Sequence, residues 1–188
     1  MVNHTLLDTA AAVEHLHAGH VIAYPTEAVF GLGCDPANES AVRELLSMKG
    51  RHETAGLVLI ASRFSQLRRW TAVVDETLLE MAMQTWPGPV TWLFPRADNV
   101  PDYVAGNHDT IAVRITAHEP SRALCEAFGS ALISTSANHT ASEPARTATQ
   151  VQEYFGSRLG GILAGELGDG EKPSEIRDLV SGNIIRRG

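Results

Sequence analysis

Cysteine, lysine and long apolar runs are scarce in this chain of 188 residues. The two cysteines, Cys34 and Cys125, form no Cys-x-x-Cys pair, which excludes a disulfide scaffold and predicts buried thiols in a reducing cytoplasm. No apolar run approaches the roughly 20 residues that span a bilayer, and no basic segment precedes an apolar one at the N-terminus. We therefore expect a cytoplasmic protein without membrane contact. Lysine occurs only at Lys49 and Lys172, so each lysine is a candidate for a specific role.

A basic arm for nucleic acid is also missing. Acidic residues number 22 against 15 basic ones, a net charge of −7, and no third of the chain is positive. This distribution argues against tight sequence-independent RNA or DNA binding. Hydrophobic residues at 44% and charged residues at 20% are typical of a globular protein, and the length fits one domain. We predict a single domain over residues 1–188.

Hydrophobic spacing predicts alternating helices and strands, and therefore an α/β fold with an open mixed sheet. Helices are predicted at 5–18, 36–48, 66–70, 76–84, 121–128 and 148–155. Strands are predicted at 20–24, 57–61, 90–94, 110–116, 131–134, 161–163 and 183–186. The segment from Trp86 to Phe94 is interpreted as core and a rigid loop.

Two cations follow the second predicted helix. If the chain is extended there, Lys49 and Arg51 point the same way, and an ammonium beside a planar guanidinium suits a polyphosphate. The alternative is that they only compensate the dipole at the end of a helix.

Short polar side chains follow the strand at 131–134. Alternation places Ser134, Ser136 and Asn138 on one side, where they can hold phosphate, ribose or a carboxylate; these residue types are also common in any loop. In the strand at 110–116, Arg114 lies opposite the apolar face. It must reach solvent, a protein carboxylate or an anionic ligand, because an unpaired buried charge is costly.

Thr26 and a predicted Gly-rich turn at Gly31–Gly33 follow the strand at 20–24. Ligands of open α/β sheets bind at the carboxyl ends of strands, so both are candidates for a pocket wall. The alternative is a strand exit whose glycines serve only turn geometry.

Several chemical motifs are absent. The Gly-rich segment from Gly165 to Lys172 is followed by Pro173, whereas a P-loop lysine is followed by Ser or Thr and opens a helix. No Gly-x-Ser-x-Gly sequence anchors a hydrolase triad, and no His, Cys and carboxylate set has zinc-ligand spacing. Lys172 is therefore interpreted as an ordinary loop residue beside Ser174, and no metal-ligating residue is assigned.

In order, six motifs resemble the YrdC-like family of threonylcarbamoyl-AMP synthases, in its short bacterial form. The resemblance runs from about Thr5 to Gly188, and six motifs in one order are highly specific. The motifs are Tyr24-Pro-Thr-Glu-Ala-Val-Phe-Gly-Leu-Gly33, Lys49-Gly-Arg51, Trp86-Pro-Gly-Pro-Val-Thr91, Ala112-Val-Arg114, Ser136-Ala-Asn138 and Pro173-Ser-Glu-Ile-Arg-Asp178.

This resemblance implies a twisted mixed sheet with flanking helices and a concave, positively lined cleft. It also implies an activity: L-threonine, bicarbonate or CO₂, and ATP with Mg²⁺ become L-threonylcarbamoyladenylate and pyrophosphate. The product would pass to the threonylcarbamoyl transferase complex, which modifies tRNAs that read codons beginning with adenine. A weak tRNA contact is a further expectation.

By motif position, the resemblance implies a role for ten residues. Lys49 and Arg51 would be catalytic and would contact the ATP phosphates. The remaining ATP-binding residues would be Thr110, Ser134, Ser136, Asn138 and Arg186. L-Threonine would be bound by Thr26, Arg114 and Ser174, with Arg114 on its carboxylate.

Two places depart from the family pattern. His52 follows Lys49-Gly-Arg51 where the family usually has Pro, and His139-Thr140-Ala141 replaces the usual Leu-Ser-Gly. We interpret both histidines as loop residues; the alternative is that they line the mouth of the cleft. The alternative function is a non-catalytic RNA-binding or ribosome-maturation module on the same fold.

Overall fold

Strands and helices alternate along the chain in the computed structural model, which describes residues 6–170 and 172–188. The strands of the described chain are β1 (Leu6–Leu7), β2 (Ile22–Pro25), β3 (Phe30–Gly33), β4 (Val58–Ala61), β5 (Val90–Pro95), β6 (Thr110–Ile115), β7 (Leu132–Ser136), β8 (Gly161–Leu163), β9 (Glu175–Asp178) and β10 (Ile184–Arg186). The helices are α1 (Thr9–His17), α2 (Glu39–Lys49), α3 (Glu76–Met83), α4 (Asp102–Ala105), α5 (Glu119–Phe128) and α6 (Ala148–Phe155).

All ten strands join one mixed sheet in the order β1-β8-β2-β3-β7-β4-β6-β5-β9-β10. The pairs β1–β8, β8–β2, β4–β6 and β5–β9 are parallel. The other five neighbouring pairs are antiparallel. The predicted α/β class with an open mixed sheet and flanking helices is confirmed.

Strand side chains alternate between two apolar cores, as the period of two residues requires. On β7, Leu132 packs with residues of α1 and α5, whereas the next residue, Ile133, belongs to the larger core on the other face. The predicted core segment is confirmed: Trp86 stacks on Phe94 with ring centroids 5.8 Å apart, and Trp92 is buried. Both cysteine thiols are buried as well, and burial raises their pKa values.

The first predicted helix begins too early. Leu6 and Leu7 instead form β1, which pairs with Ile162 and Leu163 of β8, and Thr5 lies outside the described residues. The helix begins at Thr9 because Asp8 caps it: its carboxylate accepts from the backbone N–H of Ala11 at 2.8 Å. An N-cap residue has extended backbone, so the residues before it join the sheet.

Other described elements also differ from the predictions. In place of the helix predicted at 66–70 there is a 3₁₀ helix at Phe64–Gln66 followed by turns, in which Leu67 and Trp70 donate to carbonyls three residues back. The segment Phe30–Gly33 is a strand and not a turn, and α4 and β9 were not predicted. Among the described residues, no helix has the length and apolar character to cross a membrane.

Candidate functional site

A cavity of about 710 Å³ lies on the sheet where β3, β6, β7, β9 and β10 contribute wall residues. Eight of the ten predicted site residues line it: Thr26, Arg51, Thr110, Arg114, Ser134, Ser136, Ser174 and Arg186. The other two, Lys49 and Asn138, contact Ser136 of the wall. The fold therefore brings together residues that the sequence scatters over 160 positions, from Thr26 to Arg186.

Lys49 is the last residue of α2, and its ammonium is held by backbone and side-chain oxygens. Nζ donates to the carbonyl oxygens of Ser136 at 2.6 Å and Asn138 at 2.9 Å, and to Oδ1 of Asn138 at 3.2 Å. Burial and the nearby charge of Arg51 lower its pKa to about 8. The ammonium thus fixes the start of the Ser136–Asn138 loop.

The extended geometry predicted for Lys49-Gly-Arg51 is wrong. Gly50 ends α2 in the left-handed conformation (φ +61°), so the two side chains are not related by strand alternation. Arg51 lines the cavity, and Nη2 donates to the carbonyl oxygens of Gly56 at 2.7 Å and Ala55 at 3.2 Å. Burial lowers the pKa of its guanidinium.

The loop after β7 is tied to two helices. Ser136 Oγ donates to Asn138 Oδ1 at 2.6 Å, and Asn138 Nδ2 donates to the carbonyl oxygen of Ser142 at 2.7 Å. The ring nitrogens of His139 lie 3.0 Å from the carbonyl oxygen of Met48 in α2 and 3.1 Å from that of Tyr154 in α6. His139 is a loop residue as predicted, and its ring lies between the ends of the two helices.

Arg114 meets a protein carboxylate while it lines the cavity. Its Nη1 donates to Oε1 of Glu27, and the same oxygen accepts from Thr116 Oγ1 at 2.8 Å. Burial acts to raise the pKa of Glu27, but the charge and hydrogen bond of Arg114, with the Thr116 bond, outweigh it and hold the pKa below its usual value. The carboxylate of Glu27 is therefore ionised at physiological pH, and its negative charge offsets the positive charge of Arg114.

Thr26 and Ser174, the two hydroxyl residues predicted to bind L-threonine, are also held by hydrogen bonds. Thr26 Oγ1 donates to the carbonyl oxygen of Val29 at 2.6 Å. Ser174 precedes β9; its hydroxyl lies 2.9 Å from that of Thr91 on β5, and its carbonyl oxygen accepts from Arg186 Nη2 at 2.7 Å. The antiparallel pairing of β10 with β9 thus brings the end of the chain to the cavity.

Sequence reasoning missed several charged residues of the wall. Arg146, Lys172, Glu27 and Glu143 all line the cavity, and Lys172 is therefore not remote from the site. The described wall carries five Lys and Arg residues against two carboxylates, so it is positive in a protein whose net charge is −7. The scarcity of lysine could have indicated that Lys172 belongs to the site. The position of Glu27 next to Thr26 could have indicated the same for Glu27.

Comparison with known proteins identifies the family of this chain. The family model named for Sua5, YciO and YrdC, and described as "Telomere recombination", matches residues 14–188. The chain belongs to the Sua5/YciO/YrdC family. A relative from Halorhodospira halophila named threonylcarbamoyl-AMP synthase is 50% identical over 176 residues, which cover 94% of this chain and 92% of that one.

Solved members of the Sua5/YciO/YrdC family share the fold. P. abyssi Sua5 complexed with L-threonine is 30% identical with a TM-score of 0.84; the match covers 90% of this chain and 50% of that one. This chain thus spans about half the length of that Sua5 chain. E. coli YciO is 25% identical with a TM-score of 0.83, over 96% and 88% of the two chains.

Proposed function

We propose that this protein is an L-threonylcarbamoyladenylate synthase that uses L-threonine, ATP, and bicarbonate or CO₂. The observation that carries the proposal is the positive cavity described above, in a chain 50% identical to a relative named threonylcarbamoyl-AMP synthase. The alternative of a non-catalytic RNA-binding module is not favoured, since that relative is named as an enzyme and the net charge is −7.

The proposed chemistry joins two anions. The amine of L-threonine adds to CO₂ and releases a proton to give a carbamate. A carbamate oxygen then attacks the α-phosphorus of ATP, and pyrophosphate leaves. Such a step is accelerated by positioning and by fixed positive charge, and it needs no protein nucleophile. The absence of a hydrolase triad from the sequence is therefore compatible with it.

In this proposal the cavity residues divide the substrates between two sides. Arg114 binds the carboxylate of L-threonine, with Thr26 and Ser174 beside it. On the other side, Arg51 binds the ATP phosphates, and Lys49 contributes charge and holds the nucleotide loop. The remaining nucleotide contacts come from Thr110, Ser134, Ser136, Asn138 and Arg186.

Magnesium fits this site as a complex with ATP. The described residues contain no group of three His, Cys, Asp or Glu side chains that would hold a metal by themselves. Mg²⁺ commonly takes its oxygens from substrate phosphates and water with one or two carboxylates. Glu143 is the candidate carboxylate of the wall, because Glu27 is engaged by Arg114. Bound in this way, the ion neutralises phosphate charge.

The proposal extends to the fate of the product. Threonylcarbamoyladenylate would be consumed by the threonylcarbamoyl transferase complex for modification of tRNAs that read codons beginning with adenine. A weak contact with tRNA belongs to the same proposal. The proposed cellular site is the cytoplasm, where these substrates and tRNA occur together.

The deciding experiment measures pyrophosphate release by the purified protein with Mg²⁺ and ATP. We expect release that requires both L-threonine and bicarbonate, and mass spectrometry should detect the adenylate. Omission of each substrate is the control. If ATP binds but no threonine-dependent release occurs, the enzyme proposal is wrong, and tight tRNA binding by the same preparation would then favour the alternative.

A further inference from the structure

Glu27 has a defined place in the cavity and no role so far. Its Oε1 accepts hydrogen bonds from both Arg114 and Thr116. The side chains of Arg114 and Glu27 are only 9% and 23% exposed, so the pair is largely removed from water. A charge-assisted bond in such surroundings fixes the orientation of both groups.

The bond to Glu27 leaves part of the Arg114 guanidinium unused. Glu27 takes Nη1, and Nε is buried without a hydrogen-bond partner in the described part of the chain. Because Nε is closed off from water and Nη1 is taken by Glu27, Nη2 is the guanidinium nitrogen left for a ligand in the cavity that Arg114 lines. A ligand carboxylate at Nη2 would make a charge-assisted hydrogen bond beside the one to Glu27.

A glycine-rich segment holds the backbone of Glu27. We call residues 164–170 the strap. Its Gly168 N–H donates to the carbonyl oxygen of Thr26 at 3.0 Å, and its Gly170 N–H donates to that of Glu27 at 2.8 Å. A Cβ atom on Gly168 would lie 2.9 Å from Glu27 Cα, and one on Gly170 would lie 2.8 Å from Glu27 O. Gly168 and Gly170, in the Gly-rich segment that superficially resembles a P-loop, thus allow close packing against the backbone of Glu27.

We propose that Glu27 is a positioning residue for carboxylate recognition. It holds the Arg114 guanidinium by Nη1 so that Nη2 receives the carboxylate of L-threonine, while the strap holds Glu27 in place. This inference rests on the proposed function. Glu27 itself does not contact the reacting atoms, so its loss weakens binding of L-threonine without slowing the chemical step.

Kinetics with two variants test the inference. In Glu27→Ala we expect the KM for L-threonine to rise about tenfold or more, because a charge-assisted hydrogen bond is lost. In Glu27→Gln we expect a smaller rise, since an amide oxygen still accepts from Arg114. The kcat and the KM for ATP should change by less than about twofold in both.

A matched control exists outside the cavity. Glu126 accepts from Arg63 and, at 2.7 Å, from Ser62 Oγ, so it makes the same pair of contacts on the surface. Glu126→Ala and Glu126→Gln should leave all three kinetic constants unchanged. Gly170→Ala should raise the KM for L-threonine as Glu27→Ala does, whereas Asp169→Ala, an exposed neighbour in the strap, should not.

A structural measurement separates this inference from the proposed function. If the wild-type protein shows no threonine-dependent pyrophosphate release, the proposed function fails. Crystal structures of the wild-type protein and Glu27→Ala still decide the positioning claim, which expects the guanidinium to leave its wild-type place in the variant. An unmoved guanidinium, or a KM for L-threonine unchanged in Glu27→Ala, would overturn it. Should Glu27→Ala not fold, Thr116→Val removes one of the two bonds and is expected to give the smaller rise.

Discussion

The ammonium of Lys49 lies 2.6 Å from the carbonyl oxygen of Ser136, so the end of α2 is joined to the end of β7 by one buried side chain. The other acceptors of this ammonium belong to Asn138. Lys49 is 5% exposed and lies behind the Ser136 wall residue. A residue expected to touch phosphate is therefore also the anchor of the loop that the nucleotide would contact.

The first prediction concerns this anchor. Lys49→Met keeps much of the side-chain volume but leaves three oxygens without their donor, so the loop should lose its fixed geometry. We expect turnover to fall about 100-fold or more, with the circular dichroism spectrum retained. Arg63→Met removes a cation that pairs with Glu126 at the surface, and it should lower turnover by less than about threefold. Equal losses in the two variants would contradict the anchoring role.

The second prediction concerns pH. The pKa of Lys49 is about 8 in the folded protein against 10.5 for an ordinary lysine, so the ammonium loses its proton as the pH rises through about 8. ATP affinity should fall over this range. Lys49→Arg stays protonated, so this variant should not show the decrease between about pH 7 and 9.5. Titration calorimetry of both proteins with ATP checks this, and an identical decrease in both would assign it to another group.

The lowered pKa of Lys49 also affects stability: as the pH rises, the free energy of unfolding should increase while ATP affinity falls. Between about pH 8 and 10.5 the unfolded chain holds more protons at Lys49 than the folded protein. The contribution of this residue to the free energy of unfolding therefore rises with pH across that window. Denaturant unfolding of the wild-type protein and Lys49→Met should show this difference in slope.

The third prediction concerns Arg51. Its guanidinium is held by the carbonyl oxygens of Ala55 and Gly56, which orients the planar fork in the cavity. Arg51→Lys keeps the charge but not the fork, so the KM for ATP should rise about tenfold with a smaller change for L-threonine. Arg43→Lys is the control, because Arg43 pairs with Glu39 and Glu53 at the surface. A KM for ATP equal to that of the wild-type protein would remove Arg51 from phosphate binding.

The fourth prediction concerns packing in β3. A Cβ atom on Gly33 would lie 2.4 Å from the carbonyl oxygen of Ile133, whereas one on Gly31 would lie 3.2 Å from a methyl group of Thr26. Gly33→Ala should lower the free energy of unfolding by about 1–3 kcal/mol, since backbone must move. Gly31→Ala should lower it less, because a side chain can shift. Chemical denaturation of both variants gives the comparison, and equal losses would mean that β3 does not pack this closely.

Local signals predicted most of the fold. Apolar periodicity located strands such as Val58–Ala61 and helices such as Ala148–Phe155. The strand Phe30–Gly33 was not predicted because glycines usually indicate turns. Here Gly33 is required by the close approach of β7, which lies far away in sequence. The helix predicted at 66–70 is replaced by a 3₁₀ helix at Phe64–Gln66 and turns, where the Gln66 side chain donates to the carbonyl oxygen of Cys125 at 2.8 Å.

The α/β class, the scarcity of lysine and the motif residues can be read from composition and from spacing along the chain. The partners of those residues follow from the fold. It turned Lys49 toward the carbonyl oxygens of Ser136 and Asn138, paired Arg114 with Glu27, and brought Lys172 to the cavity wall. Those relationships depend on strand order and helix ends, since hydrogen bonds and ion pairs act over a few ångströms, whereas Lys49 and Asn138 are 89 positions apart and Glu27 and Arg114 are 87.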